Sequence, residues 1–376
     1  MSRRIILLGA TGYTGGLVLD ALLRRSAEPT VAGRDPAALE ALAARNGGLD
    51  HLVVDAADPA GLRNHLRPGD VLVTTVGPFE RFGYPVAQAA ADAGAHYIDS
   101  TGEVGFVRTL YDRHHRRARE AGAVMLPAFG YDYVPGVLAG ALAARRGGDA
   151  VRALDIGYFA AGPLRRGISR GTRATLRDGL TLPSPRRHRH RLRDERTASR
   201  VRPFTVRGHR SSAFLVSGTE VLFLPETFPA LEDITVYNGW FPALSRPVSL
   251  FSALANTAVR LPGGGKVTAA LTRPLLLGPP GGPDAALRAR IRSNVVAVAS
   301  TGTPGDPPAA EVHLEGPDPY TLTGELMAWA AQHLATRPIS TAGVVGPVEA
   351  FGLETLRDAC AATGLDIVAG PPAARA

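Results

Sequence analysis

The sequence predicts an α/β protein with a doubly wound parallel sheet and a second α+β domain built on a mostly antiparallel sheet. Short apolar runs alternate with segments of helical spacing through residue 126, and the first of these runs ends in a glycine-rich turn. Strand-like runs of alternating character return after residue 150. Strands that alternate with helices favour parallel pairing, whereas strands that follow one another closely favour antiparallel pairing.

The glycine-rich turn follows Ile5–Leu8, which has the length and residue types of a buried strand, and it leads into a segment of helical spacing. A strand, a glycine turn and a helix together bring backbone N–H groups up to a diphosphate. The spacing is Gly-x-x-Gly-x-x-Gly and not Gly-x-Gly-x-x-Gly, so an ordinary glycine-rich turn is the alternative. The candidate cofactor-binding residues here are Gly9, Thr11, Gly12, Tyr13, Thr14 and Gly15.

The end of the second predicted strand, Thr30–Ala32, indicates which dinucleotide binds. An acidic residue at this place holds the ribose of NAD, whereas an arginine suits the 2′-phosphate of NADP. This chain has Arg34 there, which can also stack on the adenine, and a solvated arginine is the alternative. We therefore expect NADP rather than NAD. Asp55, after the third strand, either meets the adenine or caps a turn.

Further strands and helices alternate through residue 126. The predicted strands are 51–55, 70–76, 96–99 and 123–126, and the predicted helices are 36–45, 59–66, 85–93 and 106–121. In a doubly wound sheet, ligands lie beyond the carboxyl ends of the strands. We therefore expect the functional residues at those ends.

Length and composition limit the class of protein. The 376 residues are enough for two domains with substantial cores. No run approaches about eighteen uninterrupted apolar residues, and the chain enters its first strand at once, so we expect neither a membrane-spanning helix nor a signal peptide. The one cysteine, Cys360, excludes an internal disulfide and a cysteine-based metal site. We expect a cytoplasmic protein that holds no metal.

The charge of the chain is basic, with 42 Lys and Arg against 34 Asp and Glu, which gives a formal net charge of +8. An anionic partner or cofactor explains this excess, and so does a coding bias toward arginine. The sequence has no zinc-finger spacing, helix-turn-helix signature or aromatic RNA-binding motif. Nucleic acid is therefore not the expected partner.

Several motifs recur in order through about residue 140. They are Gly-Ala-Thr-Gly-Tyr-Thr-Gly (9–15), Ala-Gly-Arg (32–34), Val-Gly-Pro-Phe (76–79) and His-Tyr-Ile-Asp-Ser-Thr-Gly-Glu (96–103). Together they resemble the saccharopine dehydrogenase-like NAD(P)-binding family, which includes saccharopine reductases and trans-acting enoyl reductases. Segments 130–136, 166–172, 315–320 and 343–352 are also similar to that family, with Tyr133 in place of a serine and Arg170 in place of a glycine.

The resemblance implies a two-domain architecture. Residues 1–135 and 336–376 would form a Rossmann-type NADP(H)-binding domain, and residues 136–335 would form an α+β domain for substrate binding and dimerisation. Strand-like runs support the second domain at 154–159, 214–216, 221–224, 234–237 and 312–315, with a helix at 249–260. From the resemblance and from charge, the candidate substrate-binding residues of this domain are Arg170, Thr172 and Arg173.

Hydride transfer needs an aligned nicotinamide and acceptor, together with a donor that protonates the product. The nicotinamide ribose is expected at Val76, Gly77, Pro78 and Phe79, with Thr101 and Gly102 on the same edge. The candidate catalytic residues are Glu103, Tyr131, Asp132 and Tyr133. A role as helix N-cap partner for the turn that follows is the alternative for Glu103, and packing is the alternative for the two tyrosines.

The segment 184–202 is rich in arginine. We interpret it as a solvated basic loop, and the alternative is a flap that attracts an anionic substrate or an acidic acyl carrier protein. His188 and His190 alternate with arginines, which opposes binding of a metal cation.

Two functions remain open. The first is an NADPH-dependent oxidoreductase that reduces a C=C or C=N bond of a small or carrier-bound anionic biosynthetic intermediate, and we expect it to be a homodimer. The second is a non-catalytic protein of the same fold that binds NADP or a carrier protein. The substitutions at Tyr133 and Arg170 leave room for this second function.

Overall fold

The computed structural model describes residues 3–164, 169, 173, 182–259, 281–303 and 305–369. Its first third alternates strands with helices. In chain order these are β1 (Ile5–Leu8), α1 (Tyr13–Arg24), β2 (Thr30–Gly33), α2 (Pro36–Arg45), β3 (His51–Val53), α3 (Pro59–Asn64), β4 (Val71–Thr74), α4 (Phe79–Ala93), β5 (His96–Asp99), α5 (Val104–Glu120) and β6 (Val124–Leu126).

The remainder of the chain is richer in strands. Its elements are α6 (Val134–Gly147), β7 (Ala153–Ala161), β8 (Pro183–His188), β9 (Arg191–Arg196), β10 (Val201–Val206), β11 (His209–Val216), α7 (Glu220–Thr227), β12 (Asp233–Asn238), α8 (Ser245–Val259), α9 (Ala285–Arg288), β13 (Arg292–Ser300), β14 (Ala310–Gly316), α10 (Pro319–Thr336), β15 (Gly343–Val344), α11 (Pro347–Phe351), α12 (Leu353–Ala362) and β16 (Asp366–Val368). Within the described residues, no helix is both long enough and apolar enough to cross a bilayer.

The first sheet contains seven parallel strands in the order β15-β6-β5-β4-β1-β2-β3. All residues of β1, β4 and β5 are buried, as expected for strands that are covered on both faces. The chain leaves β1 toward β2 on one side and returns at β4 on the other. A ligand crevice opens at the carboxyl ends of the strands where the order reverses in this way.

The chain divides into two compact units. The first contains the residues up to Val134 together with Pro319–Thr363, and the second contains Pro135–Asp318 together with the chain from Gly364 onward. Helix α10 of the first unit packs closely on α1, because a Cβ at Gly324 would lie 3.0 Å from the backbone of Leu17.

The second unit is built on a nine-stranded sheet. Its main path is β10-β11-β12-β7-β13-β14-β16, and β8 joins β12 to β9. Strands β7 and β12 pair in parallel, whereas the other pairs are antiparallel. The predicted fold class, a doubly wound parallel sheet with a second unit on a mostly antiparallel sheet, is confirmed.

One predicted strand of the second unit is wrong. Residues 221–224 lie in the helix α7, which buries Val221 and Leu224. A run of four apolar residues suits a buried helix as well as a buried strand, and periodicity cannot separate the two over so short a length.

The interpretation of segment 184–202 as a loop is also wrong. Most of it forms the β8–β9 hairpin and the start of β10. Two basic side chains of the hairpin pair with carboxylates: Arg186 with Glu195, and His188 with Asp233 at 2.5 Å. Burial opposes the charge of Glu195, but hydrogen bonds from Arg200, Arg186 and Ser199 outweigh it and lower the pKa of Glu195 to about 2.

Candidate functional site

The candidate site lies in the first unit, at the edge where its parallel strands end. Because the strands run in one direction, the segments that follow β1, β2, β3, β4, β5 and β6 all emerge at this edge. These segments contain every cofactor-binding and catalytic residue predicted from the sequence. The fold therefore brings these candidates to one edge, and their individual roles stay predictions.

The turn after β1 requires glycine at two positions. Gly9 has φ +88°, and a Cβ there would lie 2.8 Å from Oγ1 of Thr75. At Gly15 a Cβ would overlap the carbonyl oxygen of Gly9. Side chains at these positions would push the first turn of α1 away from β1.

The backbone N–H groups at the start of helix α1 have no side-chain cap. Gly12 is the N-cap residue, and no side chain accepts a hydrogen bond from the first turn. Thr11 and Gly12 are exposed and Tyr13 and Thr14 are half-buried, so the start of the helix is accessible. The ring of Tyr13 packs edge-on against Tyr320 at 5.4 Å. An accessible, uncapped helix N-terminus suits the pyrophosphate of a dinucleotide.

Arg34 and Asp55 follow β2 and β3, and both are exposed. Arg34 makes no ion pair or side-chain hydrogen bond within the part of the chain that the structure describes, so its guanidinium can meet an anion. Asp55 accepts a hydrogen bond from the backbone N–H of Ala57 at 2.9 Å. This hydrogen bond fits the turn-capping role predicted for Asp55, which was the alternative to contact with the adenine.

In the segment after β4, Gly77 and Pro78 are exposed, Val76 is half-buried and Phe79 is buried. The Phe79 ring packs on Phe106 with ring centres 5.7 Å apart. The ring of Phe79 therefore anchors α4 on α5.

Glu103 caps a helix, although not the one that it precedes. Its Oε1 accepts the N–H of Phe79 at 3.1 Å, and its Oε2 accepts the N–H of Glu80 at 2.7 Å. Both donors belong to the first turn of α4, where a carboxylate also complements the helix dipole. The N–H of Glu103 in turn donates to Oγ1 of Thr101 at 3.0 Å, and Thr101 is fully buried. The capping alternative predicted for Glu103 was toward the turn that follows it, whereas its carboxylate caps the start of α4.

Asp99 is a structural centre of the site to which the sequence analysis assigned no role. Its buried Oδ1 accepts the N–H groups of Thr101 and Ala128, each at 2.8 Å. Burial raises the pKa of Asp99 to about 6 against the opposing effect of these hydrogen bonds and of Tyr97. The signal was its place at a strand end, immediately before the polar run 100–103.

The segment after β6 places three of the predicted catalytic residues. Tyr131 and Tyr133 are buried, whereas Asp132 is exposed. The hydroxyl of Tyr133 donates to the carbonyl of Gly102 at 2.9 Å, and this bond joins the segment to Gly102 after β5. Asp132 makes no hydrogen bond or ion pair among the described residues, so its carboxylate is available to a ligand.

Thr323, on α10, is a supporting residue that the sequence analysis missed. Its Oγ1 accepts the N–H of Tyr131 at 3.0 Å and donates to the carbonyl of Pro319 at 2.8 Å. Nothing in a single threonine inside a helical pattern signals such a contact, because it depends on tertiary packing.

The predicted substrate-binding residues lie in the second unit. Arg170 and Thr172 fall outside the described residues, and Arg173 is half-buried with its N–H bonded to the carbonyl of Ser169 at 3.0 Å. Their assignment stays a prediction.

Comparison with known proteins finds similarity to part of the chain. Residues 5–126 match the family model of the saccharopine dehydrogenase NADP binding domain. A trans-acting enoyl reductase of Mycobacterium ulcerans (strain Agy99) is 39% identical over 137 residues, which are 35% of this chain and 33% of the relative. One of Mycobacterium leprae is 38% identical over 137 residues, with the same coverage. The chain thus matches about a third of the length of these curated relatives.

The fold extends further than the sequence similarity. Saccharopine dehydrogenase (L-Glu forming) from Saccharomyces cerevisiae superposes with a TM-score of 0.59 at 13% identity, over 98% of this chain and 100% of that chain. The resemblance stated from the sequence motifs is confirmed for residues 5–126, which match the model of the saccharopine dehydrogenase NADP binding domain.

Proposed function

We propose that this protein is an NADPH-dependent reductase that transfers hydride to a C=C or C=N bond of a biosynthetic intermediate. The observation that carries the proposal is the pairing of the glycine turn with Arg34 on one edge of the first sheet. The turn presents an uncapped helix N-terminus, and Arg34 is exposed and without an ion pair among the described residues. These groups fit the pyrophosphate and the 2′-phosphate of NADP(H).

The C=C bond of an enoyl thioester is the first acceptor to test, because two relatives that are 39% and 38% identical over 137 residues are named trans-acting enoyl reductases. Bound NADPH supplies a hydride to the β-carbon of such a substrate. The electron pair of the double bond then moves toward the thioester carbonyl, and the α-carbon takes up a proton. One C–H bond forms at each carbon, so the balance closes with one NADPH and one proton.

Asp132 is the residue that we assign to the proton transfer. Of the four catalytic candidates, Glu103 holds the start of α4, Tyr133 donates to the carbonyl of Gly102, and Tyr131 is buried. Asp132 is exposed on the segment after β6 and is not engaged by other described residues. Its carboxyl group can exchange a proton with water and pass it to the product.

A trans-acting reductase meets its substrate on another protein, so we propose a carrier-bound substrate. The basic balance of the chain, +8, suits an acidic acyl carrier protein. A small anionic imine remains the competing substrate, because the arginines can also clamp carboxylates.

A non-catalytic NADP-binding protein is the second candidate, and the engagement of Glu103 and Tyr133 in backbone hydrogen bonds favours it. Incubation of the purified protein with NADPH and either an enoyl thioester or a cyclic imino acid separates the candidates. Loss of the reduced-nicotinamide absorbance with formation of the saturated product supports the reductase. Tight NADPH binding without oxidation on either acceptor supports the binding protein.

A further inference from the structure

The nine-stranded sheet of the second unit has a cavity on one of its faces. The sheet curls, so that Phe204 of β10 packs edge-on against Phe159 of β7 at 5.6 Å, and both rings join a buried cluster with Val296 of β13. Next to this cluster, at the β10–β11 turn, lies a cavity of about 350 Å³. Its lining residues all belong to the second unit. Pockets that hold small molecules begin at roughly 300 Å³, so the cavity is large enough for a small ligand.

The strand register shows which side chains face the cavity. Asn294 and Val296 lie on the same face of β13, because side chains alternate along a strand. Antiparallel pairing places Glu315 opposite Asn294 and His313 opposite Val296, so β14 presents these two side chains on that face. Val368 of β16 pairs with His313 and extends the same face. All five residues line the cavity.

Asn294 is a polar side chain buried at the floor of the cavity. It is 4% exposed, and no described residue forms a hydrogen bond with its amide group. A buried amide normally has a hydrogen-bond partner, because removing it from water without one costs free energy. The cavity beside Asn294 is the space in which such a partner can lie.

Two opposite charges lie at the edge of the cavity. The side chain of Arg207, in the β10–β11 turn, is 56% exposed, and that of Glu315 is 29% exposed. Nε of Arg207 is 3.7 Å from Oε2 of Glu315, which is longer than a hydrogen bond. No other described residue engages the terminal nitrogens of Arg207 or Oε1 of Glu315. Each of the two side chains can therefore bind a group of opposite charge.

The other walls of the cavity are mostly apolar. Val206 of β10 packs against the buried cluster and lines the cavity opposite the floor formed by β13 and β14. Together with Val296 and Val368 it offers surface to an aliphatic group. His313 forms part of the floor, and its Nε2 lies 3.3 Å from Oε2 of Glu311.

We propose that this cavity binds a free α-amino acid with an aliphatic side chain. The ammonium group lies between Oε1 of Glu315 and the amide oxygen of Asn294, which are neighbours across β14 and β13. The carboxylate pairs with the guanidinium of Arg207. The side chain contacts the valines that line the cavity.

The charges favour a zwitterion over a simple ion. Glu315 repels a ligand that carries only a negative charge, and Arg207 repels one that carries only a positive charge. A molecule that carries both charges close together compensates both residues. The proposal goes beyond the reductase activity and uses none of the residues assigned to it.

The test is isothermal titration calorimetry of the full-length purified protein with valine and with leucine. We expect at least one of them to bind with a dissociation constant in the micromolar to low-millimolar range. Isovalerate and isocaproate are the matched probes that lack the ammonium group, and isobutylamine and isoamylamine are those that lack the carboxylate. Each should bind at least about tenfold more weakly than its parent amino acid, because one charge-assisted contact is lost.

Variants assign the binding to this cavity. Glu315→Gln should weaken binding of the amino acid by about tenfold or more without weakening binding of the carboxylate probe. Asn294→Leu nearly keeps the volume of the side chain and removes the amide. It should weaken binding without lowering the midpoint of thermal unfolding, because a buried amide without a partner does not stabilise the fold. Glu232→Gln is the matched control, since Glu232 also lies in the second unit and also faces an arginine, Arg152, at 3.8 Å. It should leave binding unchanged.

Three results would overturn the proposal. If neither amino acid binds at millimolar concentration, the cavity holds water only. If the folded Glu315→Gln and Asn294→Leu proteins bind the amino acid as wild type does, the amino acid occupies another site. If the probes bind as tightly as the parent amino acid, the site does not recognise a zwitterion. The probe series uses wild-type protein, so it decides the question even where a variant fails to fold.

Discussion

The carboxylate of Asp99 accepts the backbone N–H of Ala128 at 2.8 Å, and this hydrogen bond ties the end of β5 to the segment after β6. The same oxygen accepts the N–H of Thr101. Two of the loops that form the candidate site are thus held by one buried atom. Loops that share a hydrogen-bond acceptor in this way hold the site in one geometry before a ligand binds.

Two replacements of Asp99 separate the contribution that its hydrogen bonds make to stability from the contribution of its charge. Asp99→Asn keeps an accepting oxygen, so both backbone hydrogen bonds can remain, whereas Asp99→Ala removes this oxygen and both bonds. We expect Asp99→Ala to lower the free energy of unfolding by about 2–4 kcal/mol. Urea unfolding of the three proteins at neutral pH measures the difference. Equal losses for Asn and Ala would contradict the role assigned to the shared oxygen.

The charge of Asp99 predicts a dependence on pH. Its folded-state pKa is raised to about 6 by burial, so the folded protein binds more protons than the unfolded chain between about pH 4 and 6. Its stabilising contribution is present below about pH 4 and is lost as the pH rises through about 6. The free energy of unfolding of wild type should therefore fall, relative to Asp99→Asn, by up to about 3 kcal/mol over this range.

His96 opposes this trend in the wild-type profile. Burial and Arg3 lower the pKa of His96 to about 4, which favours the folded state increasingly as the pH rises. Because His96 is present in both proteins, the difference between wild type and Asp99→Asn isolates the carboxylate. Asp20→Asn, a change at an exposed position, is the matched control. It should leave the dependence of the unfolding free energy on pH parallel to that of wild type.

Glu103→Gln distinguishes a helix cap from a catalytic acid. Glutamine keeps an oxygen for one of the two N–H groups of α4 and cannot deliver a carboxylic proton. Because Glu103 caps α4, we expect a loss of about 1–2 kcal/mol in unfolding free energy and catalytic turnover within about threefold of wild type. Thermal unfolding and NADPH oxidation measure the two. A loss of turnover by a hundredfold or more with unchanged stability would identify Glu103 as the acid instead.

Asp132→Asn should show the reverse pattern. The side chain is exposed and makes no contact that stabilises the described fold, so stability and NADPH affinity should change little. Turnover of an enoyl thioester should fall by about a hundredfold, the usual contribution of a positioned acid or base. Asp112→Asn, an exposed change on α5, is the control. Full turnover in Asp132→Asn would exclude the proton-transfer role.

Arg34→Ala tests the assignment of the 2′-phosphate. NADP(H) affinity should fall by about 1–3 kcal/mol while NAD(H) affinity barely changes, because only the contact with the phosphate is lost. Arg45→Ala, at the exposed end of α2, should affect neither. Equal losses for both dinucleotides would refute the assignment.

The parallel sheet could be predicted from the sequence because its strands are short, mostly apolar and separated by segments of helical spacing. The bounds predicted for α2 and β5, 36–45 and 96–99, agree with the structure. The edge of the site followed from the same pattern, since parallel strands end together.

Prediction failed where local pattern and tertiary context disagree. The run 221–224 is too short for its periodicity to distinguish helix from strand. The segment 184–202 looked like a solvated loop because Glu195 and Asp233, the carboxylates that pair with Arg186, become its neighbours only after folding. For the same reason a capping role was predicted for Glu103 toward the turn that follows it, whereas its partner in the fold is the start of α4.

The most direct test of the account is a titration of purified wild-type protein with NADPH and with NADH, followed by the fluorescence of the reduced nicotinamide. The glycine turn and Arg34 predict micromolar binding of NADPH, and binding of NADH weaker by at least about tenfold. Failure to bind either dinucleotide, or equal affinity for both, would contradict the assignment of this edge of the sheet as an NADPH site.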